Sequence, residues 1–210
     1  MKRLLSTLFS ILFVLMTAPV VLTGCSETEE SGEFDNWQTR NDSYINTLSE
    51  SVDNNITPET ATEGQMFRIL SYKLDGNLQW DADKYVYCKI IKKGTGTETP
   101  NYSDSIRMNY RAHLIPSENY PKGFIFDQSY KTDTLNTLIN VPASFKLSGL
   151  VDGMISAVQY MKVGDIWEIT IPYGLGYVGR KVSSIPSYST LIFDVNLTET
   201  ALAGTSLSPR

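Results

Sequence analysis

Hydrophobic positions along this chain recur with two periods, and the change from one to the other marks out its elements. Over residues 105–114, Ile106, Met108, Tyr110, Ala112 and Leu114 share one face, and Arg107, Asn109, Arg111 and His113 share the other. A period of two predicts a strand with one buried face, and it places His113 toward solvent. Trp167, Ile169 and Ile171 alternate with Glu168 and Thr170, and Pro172 ends that strand. The run from Leu191 to Leu197 alternates again, and Tyr85 to Lys92 reads as a further strand ending at a Lys93-Gly94-Thr95-Gly96 turn. Val151, Met154, Ile155, Val158 and Met161 instead follow a helical period. A second helical stripe, Trp37, Tyr44, Ile45 and Leu48, lies within Asp35 to Ser51 and could pack on the domain or on a second chain. Val52 to Thr62 reads as a linker, and Met66 to Tyr72 as a short element of the N-terminal region. Strands outnumber helices and hairpin-like links dominate. The predicted class is α+β: a curved antiparallel β-sheet wrapped around one short α-helix, with an N-terminal helical extension.

The start of the chain has a different pattern. Lys2 and Arg3 precede an almost wholly apolar run from Leu4 to Leu22, and Leu22-Thr23-Gly24-Cys25 follows. Small residues before a cysteine suit lipoprotein processing, with Cys25 as the acylated residue of the mature chain. A plain signal peptide and an uncleaved membrane helix are the competing readings. Glu27, Glu29, Glu30 and Glu33 make the next stretch acidic, which fits a solvated tether or a surface-export signal. The expected organisation is a signal segment over 1–24, a tether over 25–34, and a helical extension with linker over 35–79. The main domain then spans 80–200, and a tail covers 201–210.

Charge and composition narrow the function. The formal net charge is −5 and the sequence pI is about 4.9. With no basic stripe, this argues against nucleic acid. One histidine removes most metal sites and every Ser-His or Cys-His triad. Once Cys25 is acylated, Cys88 has no intrachain partner, and its strand context predicts a packed, unreactive thiol. The stretch from Val141 to Leu197 holds aromatic and aliphatic residues with few groups fit for bond-breaking chemistry. Together with Phe126-Asp127 and Tyr110 it can build an apolar pocket for an uncharged group.

An ordered set of short motifs runs through the same stretch. It comprises Tyr110, Phe126-Asp127, Phe145-Lys146-Leu147, Leu150-Val151-Asp152-Gly153-Met154 and Met161-Lys162-Val163-Gly164. Ile171-Pro172, Tyr177, Ile185-Pro186 and Leu191 to Leu197 complete it. In order and spacing, over roughly Tyr85 to Thr198, it resembles the FKBP-type peptidyl-prolyl cis-trans isomerases in their bacterial lipoprotein form. The pattern departs from the family at Met154, where the family usually has tryptophan. It departs again at Ala112, where the family has glycine, and at Ala143, where it often has an aromatic residue. Tyr130 to Asn140 is longer than typical.

The resemblance implies an isomerase of X–Pro bonds that assists the folding of exported proteins and needs no cofactor or metal. It assigns Asp127, Tyr177 and Phe126 to catalysis. It assigns Tyr110, Leu150, Val151, Met154, Ile185 and Phe193 to binding the proline-containing polypeptide. The rim beside the proline would be formed by Leu150, Met154, Ile185 and parts of the Val178 to Ser184 loop. It would be largely aliphatic with Asp127 as the one charge close to it, which favours Leu-Pro and Phe-Pro substrates over Lys-Pro, and Lys-Pro over Glu-Pro. The resemblance also implies a membrane tether through Cys25 in the envelope of a Gram-negative-type bacterium. A monomer is the default reading of the chain, with a homodimer through the N-terminal helix as the alternative that related lipoprotein isomerases suggest. The alternative is a non-catalytic peptide-binding or chaperone-like surface lipoprotein using the same groove. A glycan-binding protein ranks last, because a sugar site would cluster several carboxylates or amides.

Lipid attachment is directly testable. Wild-type protein is expected to carry acyl groups on Cys25 by mass spectrometry, and Cys25→Ala to remain unprocessed. An unacylated wild-type chain would remove the anchor.

Overall fold

A computed structural model describes residues 32–137 and 139–209, so the signal segment, Cys25 and most of the acidic tether lie outside the described residues. Helix α1 covers Trp37–Ser51. Strands β1 (Met66–Leu70), β2 (Tyr85–Lys92), β3 (Ser105–Leu114), β4 (Ile125–Gln128) and β5 (Ala143–Lys146) follow. Then come the short helix α2 (Asp152–Val158), β6 (Ile166–Ile171) and β7 (Leu191–Ala201). All seven strands join one sheet in the order β1-β2-β6-β7-β3-β4. Strand β5 pairs with β3 beside β4, and every pairing is antiparallel. The α+β class and the antiparallel sheet agree with the pattern of periods.

The long strands follow their alternation. Ile106, Met108, Tyr110, Ala112 and Leu114 are all buried, and β3 begins and ends where the period does. The opposite face is less wet than the pattern implies. Asn109 is buried against Asn196, and His113 is half-buried beside the Leu114 carbonyl rather than turned to solvent. Strand β1 also differs from the expectation. Met66–Leu70 lies inside the sheet, paired residue for residue with Tyr85–Lys89 of β2, rather than in the N-terminal extension. The ladder therefore begins upstream of residue 80.

Helix α2 has only seven residues, too few to be stable alone. Burial holds it: every residue from Gly153 to Val158 is buried, packed with Ile171, Ile169 and Val86 in the main core. Gly153 sets the distance. A Cβ there would lie 2.3 Å from Ile171 Cγ2, so glycine is what lets the helix start touch β6. Beyond the helix, buried Asp165 ties two turns together by accepting the N–H groups of Gly94 at 2.6 Å and Lys162 at 2.9 Å.

Helix α1 folds onto its own chain. Ile45 and Val52 pack against Tyr87, which faces away from the layer that holds Cys88. Trp37 Nε1 donates to Ser189 Oγ at 2.8 Å, and Asn41 Oδ1 accepts the Thr190 N–H at 2.7 Å. Cys88 is fully buried, and that burial pushes its thiol far above the ordinary range, so it stays protonated.

Gly153→Ala is expected to destabilise the chain by about 1–3 kcal/mol, the usual range for overpacking. Urea unfolding measures this. An unchanged midpoint would mean that α2 can retreat from β6 at no cost.

Candidate functional site

The two periods converge on one cleft of about 500 Å³. Its back wall comes from the sheet. Met108 and Tyr110 project from β3, Phe193 from β7 and Phe145 from β5. Register decides this set. Ala112 stands directly between Asp127 of β4 and Phe193 of β7. The ladder shifts between Ala112 and His113, so that Ala112 faces Asp127 while His113 faces Ile125. Phe126 is the extra residue. A bulge of this kind re-aims side chains, and here successive residues Phe126 and Asp127 both reach the cleft.

The aromatic walls are mutually braced. Phe126 meets Phe193 edge-on with centroids 5.9 Å apart, and Tyr110 meets Phe145 at 5.8 Å. Such edge-to-face pairs fix ring orientation as well as burying area. The Tyr110 O–H donates to Asp127 Oδ2 at 2.8 Å, and the Gln128 N–H donates to Asp127 Oδ1 at 2.8 Å. Burial first, and the neighbouring Asp127 carboxylate second, push the Tyr110 hydroxyl well above the ordinary tyrosine range. Tyr110 is therefore a fixed neutral donor. Asp127 itself is exposed, so it is a surface carboxylate that orients a buried phenol rather than a buried rim group.

The floor and the far wall come from α2 and the loop after β6. Leu150 and Val151 precede α2, and Met154 lies beneath them, 2% exposed. Tyr177, Val178 and Arg180 form the loop wall. No hydrogen bond engages the Tyr177 hydroxyl among the described residues. The loop backbone is held firmly. Val178 adopts φ 58°, its N–H donates to the Tyr173 carbonyl at 2.8 Å, and its carbonyl accepts the Tyr188 N–H at 3.1 Å. Tyr173 and Tyr188 pack edge-to-face at 5.4 Å. Helix α1 grips the end of this loop through Ser189 and Thr190, so the N-terminal extension braces one wall of the cleft.

Of the residues assigned from sequence, Tyr110, Phe126, Asp127, Leu150, Val151, Met154, Tyr177 and Phe193 line this one cleft. Ile185 does not. It pairs with Val182 across a tight turn and is 5% exposed within the core, so it supports the loop from behind. Met108, Phe145 and Arg180 line the cleft without having been assigned to it. The alternation of β3 already places Met108 on the face of Tyr110, and Phe145 falls in a quoted motif. Arg180 lies in the Val178 to Ser184 loop expected at the rim, but no pattern singles it out there.

Comparison with known proteins agrees with this geometry. Residues 96–198 match the family described as FKBP-type peptidyl-prolyl cis-trans isomerase. The chain is 37% identical over 112 residues to the FKBP-type 22 kDa peptidyl-prolyl cis-trans isomerase of Escherichia coli (strain K12), covering 53% of this chain and 48% of that protein. It is 34% identical over 110 residues to the outer membrane protein MIP of Legionella longbeachae, covering 52% of this chain and 41% of that protein. The chain thus spans about half the length of the curated relatives it matches. Among solved structures, a peptidyl-prolyl cis-trans isomerase from Pseudomonas syringae pv. tomato superposes with a TM-score of 0.54 at 20% identity, covering 81% of this chain and 98% of that one.

The raised Tyr110 hydroxyl has a consequence at alkaline pH. The unfolded chain releases this proton near pH 10, whereas the folded chain keeps it. The stabilisation is therefore complete below that pH and is lost as pH rises further. Tyr110→Phe is expected to lose less stability than wild type between roughly pH 9 and pH 11 in urea titrations. Equal losses would place the alkaline sensitivity in other tyrosines.

Proposed function

We propose, from the match of residues 96–198 to the FKBP-type peptidyl-prolyl cis-trans isomerase family, that this protein accelerates the cis–trans exchange of X–Pro bonds in exported polypeptides. The observation that carries the reading is the assembly of eight residues from separate segments of the chain, aromatic and apolar apart from Asp127, into one open cleft. Rotation about a peptide bond faces a barrier of about 18–20 kcal/mol from amide resonance. At X–Pro the two isomers are close in energy but exchange over tens to hundreds of seconds. Catalysis here needs no covalent step. It needs a site that holds the twisted amide better than the planar one.

The cleft has the chemistry for this. Twisting localises the nitrogen lone pair and makes the carbonyl less dipolar. A cleft walled by Phe126, Phe193, Phe145 and Tyr110 accepts the proline ring and strips water from the amide, which removes the hydrogen bonds that favour the planar form. Tyr177, with its hydroxyl uncommitted, donates to a substrate carbonyl as the amide turns. The Val151 N–H, at the start of α2, is the second donor. Asp127 fixes Tyr110 and so the pocket's back wall.

In the cell we place the protein in the bacterial envelope, tethered to a membrane through Cys25, in line with a relative named as an outer membrane protein. A homodimer through α1 would have to use the side of the helix left outside, since Trp37 and Ile45 are buried against the chain's own sheet.

NMR exchange measurements on a Leu-Pro peptide test the reading. Wild type is expected to accelerate exchange. Tyr177→Phe should lower kcat/KM about two- to tenfold, the equivalent of one neutral hydrogen bond of roughly 0.5–1.5 kcal/mol. Asp127→Ala should cost more, because it frees Tyr110 as well. Both should move the unfolding midpoint less than the rate. Peptide binding without any acceleration would instead make this a non-catalytic peptide-binding lipoprotein.

A further inference from the structure

We infer that the cleft favours an acidic over a basic residue next to the proline, with Arg180 as the residue that reads it. The inference rests on the isomerase reading of the same cleft and names its substrate class more closely.

Three charged residues line the cleft: Asp127, Asp152 and Arg180. The two carboxylates are already engaged. Asp127 accepts the Tyr110 O–H and the Gln128 N–H, one on each oxygen. Asp152 accepts the Lys73 ammonium at 2.7 Å on one oxygen and the Tyr72 hydroxyl at 3.5 Å on the other. Arg180 differs. Among the described residues its guanidinium joins none of the ion pairs, which are Lys73–Asp152, Lys84–Asp83 and Arg107–Glu199. No side-chain hydrogen bond engages it either. It is exposed on the loop wall that also carries Tyr177.

The base of this side chain is fixed although its head is free. The Arg180 N–H donates to the Tyr177 carbonyl at 3.2 Å, and the Val182–Ile185 turn closes the chain just beyond it. A guanidinium offers a planar fork of donors suited to a carboxylate. A glutamate beside the proline can use that fork without displacing any existing contact. A lysine in the same place meets Arg180 as a like charge, and the carboxylates it could approach already hold donors. Counting Asp127 as the only charge at the rim ranked Lys-Pro above Glu-Pro. Arg180 reverses that order, while the preference for Leu and Phe on grounds of apolar burial stands.

The test uses the full chain and three peptides that differ only in Glu, Gln or Lys before the proline. A second set varies the residue after it, and a Leu-Pro peptide serves as reference. In at least one set, kcat/KM is expected to be about two- to fivefold higher for Glu than for Lys with Gln between, the scale of an exposed ion pair. The ratio should collapse toward one in roughly 0.5 M salt and invert in Arg180→Glu. A Glu-to-Lys ratio of one or less in both sets would overturn the assignment, as would a ratio that Arg180→Glu does not move. Failure to accelerate even Leu-Pro would remove the isomerase reading instead. In that case the ratio of Kd values, read from amide shifts at Gly176 and Tyr177, decides the Arg180 assignment by the same criteria.

Discussion

The register of β3 is the constraint on which the rest of the structure depends. Its even-numbered residues Ile106 to Leu114 face the core, and a slip of one residue would turn every one of them outward. The same register sets the cleft. It places Tyr110 opposite Val195, and it places Ala112 between Phe193 and Asp127. Core and site thus share one face of one strand. Stability and recognition cannot be separated on this face. A substitution at Tyr110 changes a core contact, a cleft wall and the partner of Asp127 together.

The wall opposite has another origin. Strand periodicity does not govern the loop between β6 and β7, which holds its shape through backbone bonds at Val178, a tyrosine pair and the grip of α1 on Ser189 and Thr190. One wall is therefore set by a sheet and the other by a braced loop. The brace joins residues 149 and 152 positions apart in sequence, so the loop wall is complete only when the N-terminal helix has docked. The loop also carries Arg180, whose guanidinium has no side-chain hydrogen bond or ion pair among the described residues. On the proposed isomerase reading, the sheet wall and the floor would serve what every X–Pro bond has in common, and the loop wall would carry what discriminates among them.

Much of this was legible in the chain because it rests on local periods. The ends of β2 and β3 coincide with their alternation, and α2 lies within the helical stripe, with Val151 as its cap, although it ends at Val158 and leaves Met161 beyond it. Elements whose identity depends on a distant partner were harder to read. Met66–Leu70 has the alternation of an edge strand, but its five residues look no different from a linker element until β2 pairs with them. The stripe on α1 was visible, but what it would cover was not. Ile185 was assigned to the cleft by motif, whereas a tight turn with Val182 directs it into the core. Arg180 belongs to a loop whose path depends on φ 58° at Val178, and no period could show which way its side chain lies.

Met154 bears on how such a cleft stays shaped without a rigid ring beneath it. Methionine is flexible and tolerates irregular space, so it is a weak floor if judged by its side chain alone. Its surroundings supply the stiffness. The preceding residue is Gly153, whose backbone lies so close to Ile171 that a Cβ would overlap it, so the helix start is pressed onto β6. Ile155 and Val158 bury the next turn in the same core. Met154 therefore projects from a backbone that has little freedom to shift, and at 2% exposure its own rotamers are confined by the packed core around it. The floor's position is fixed by the contact between helix and strand, and only its fine shape depends on the methionine. On the proposed function, different substrate rings would be met by small adjustments of one side chain, with the walls unmoved.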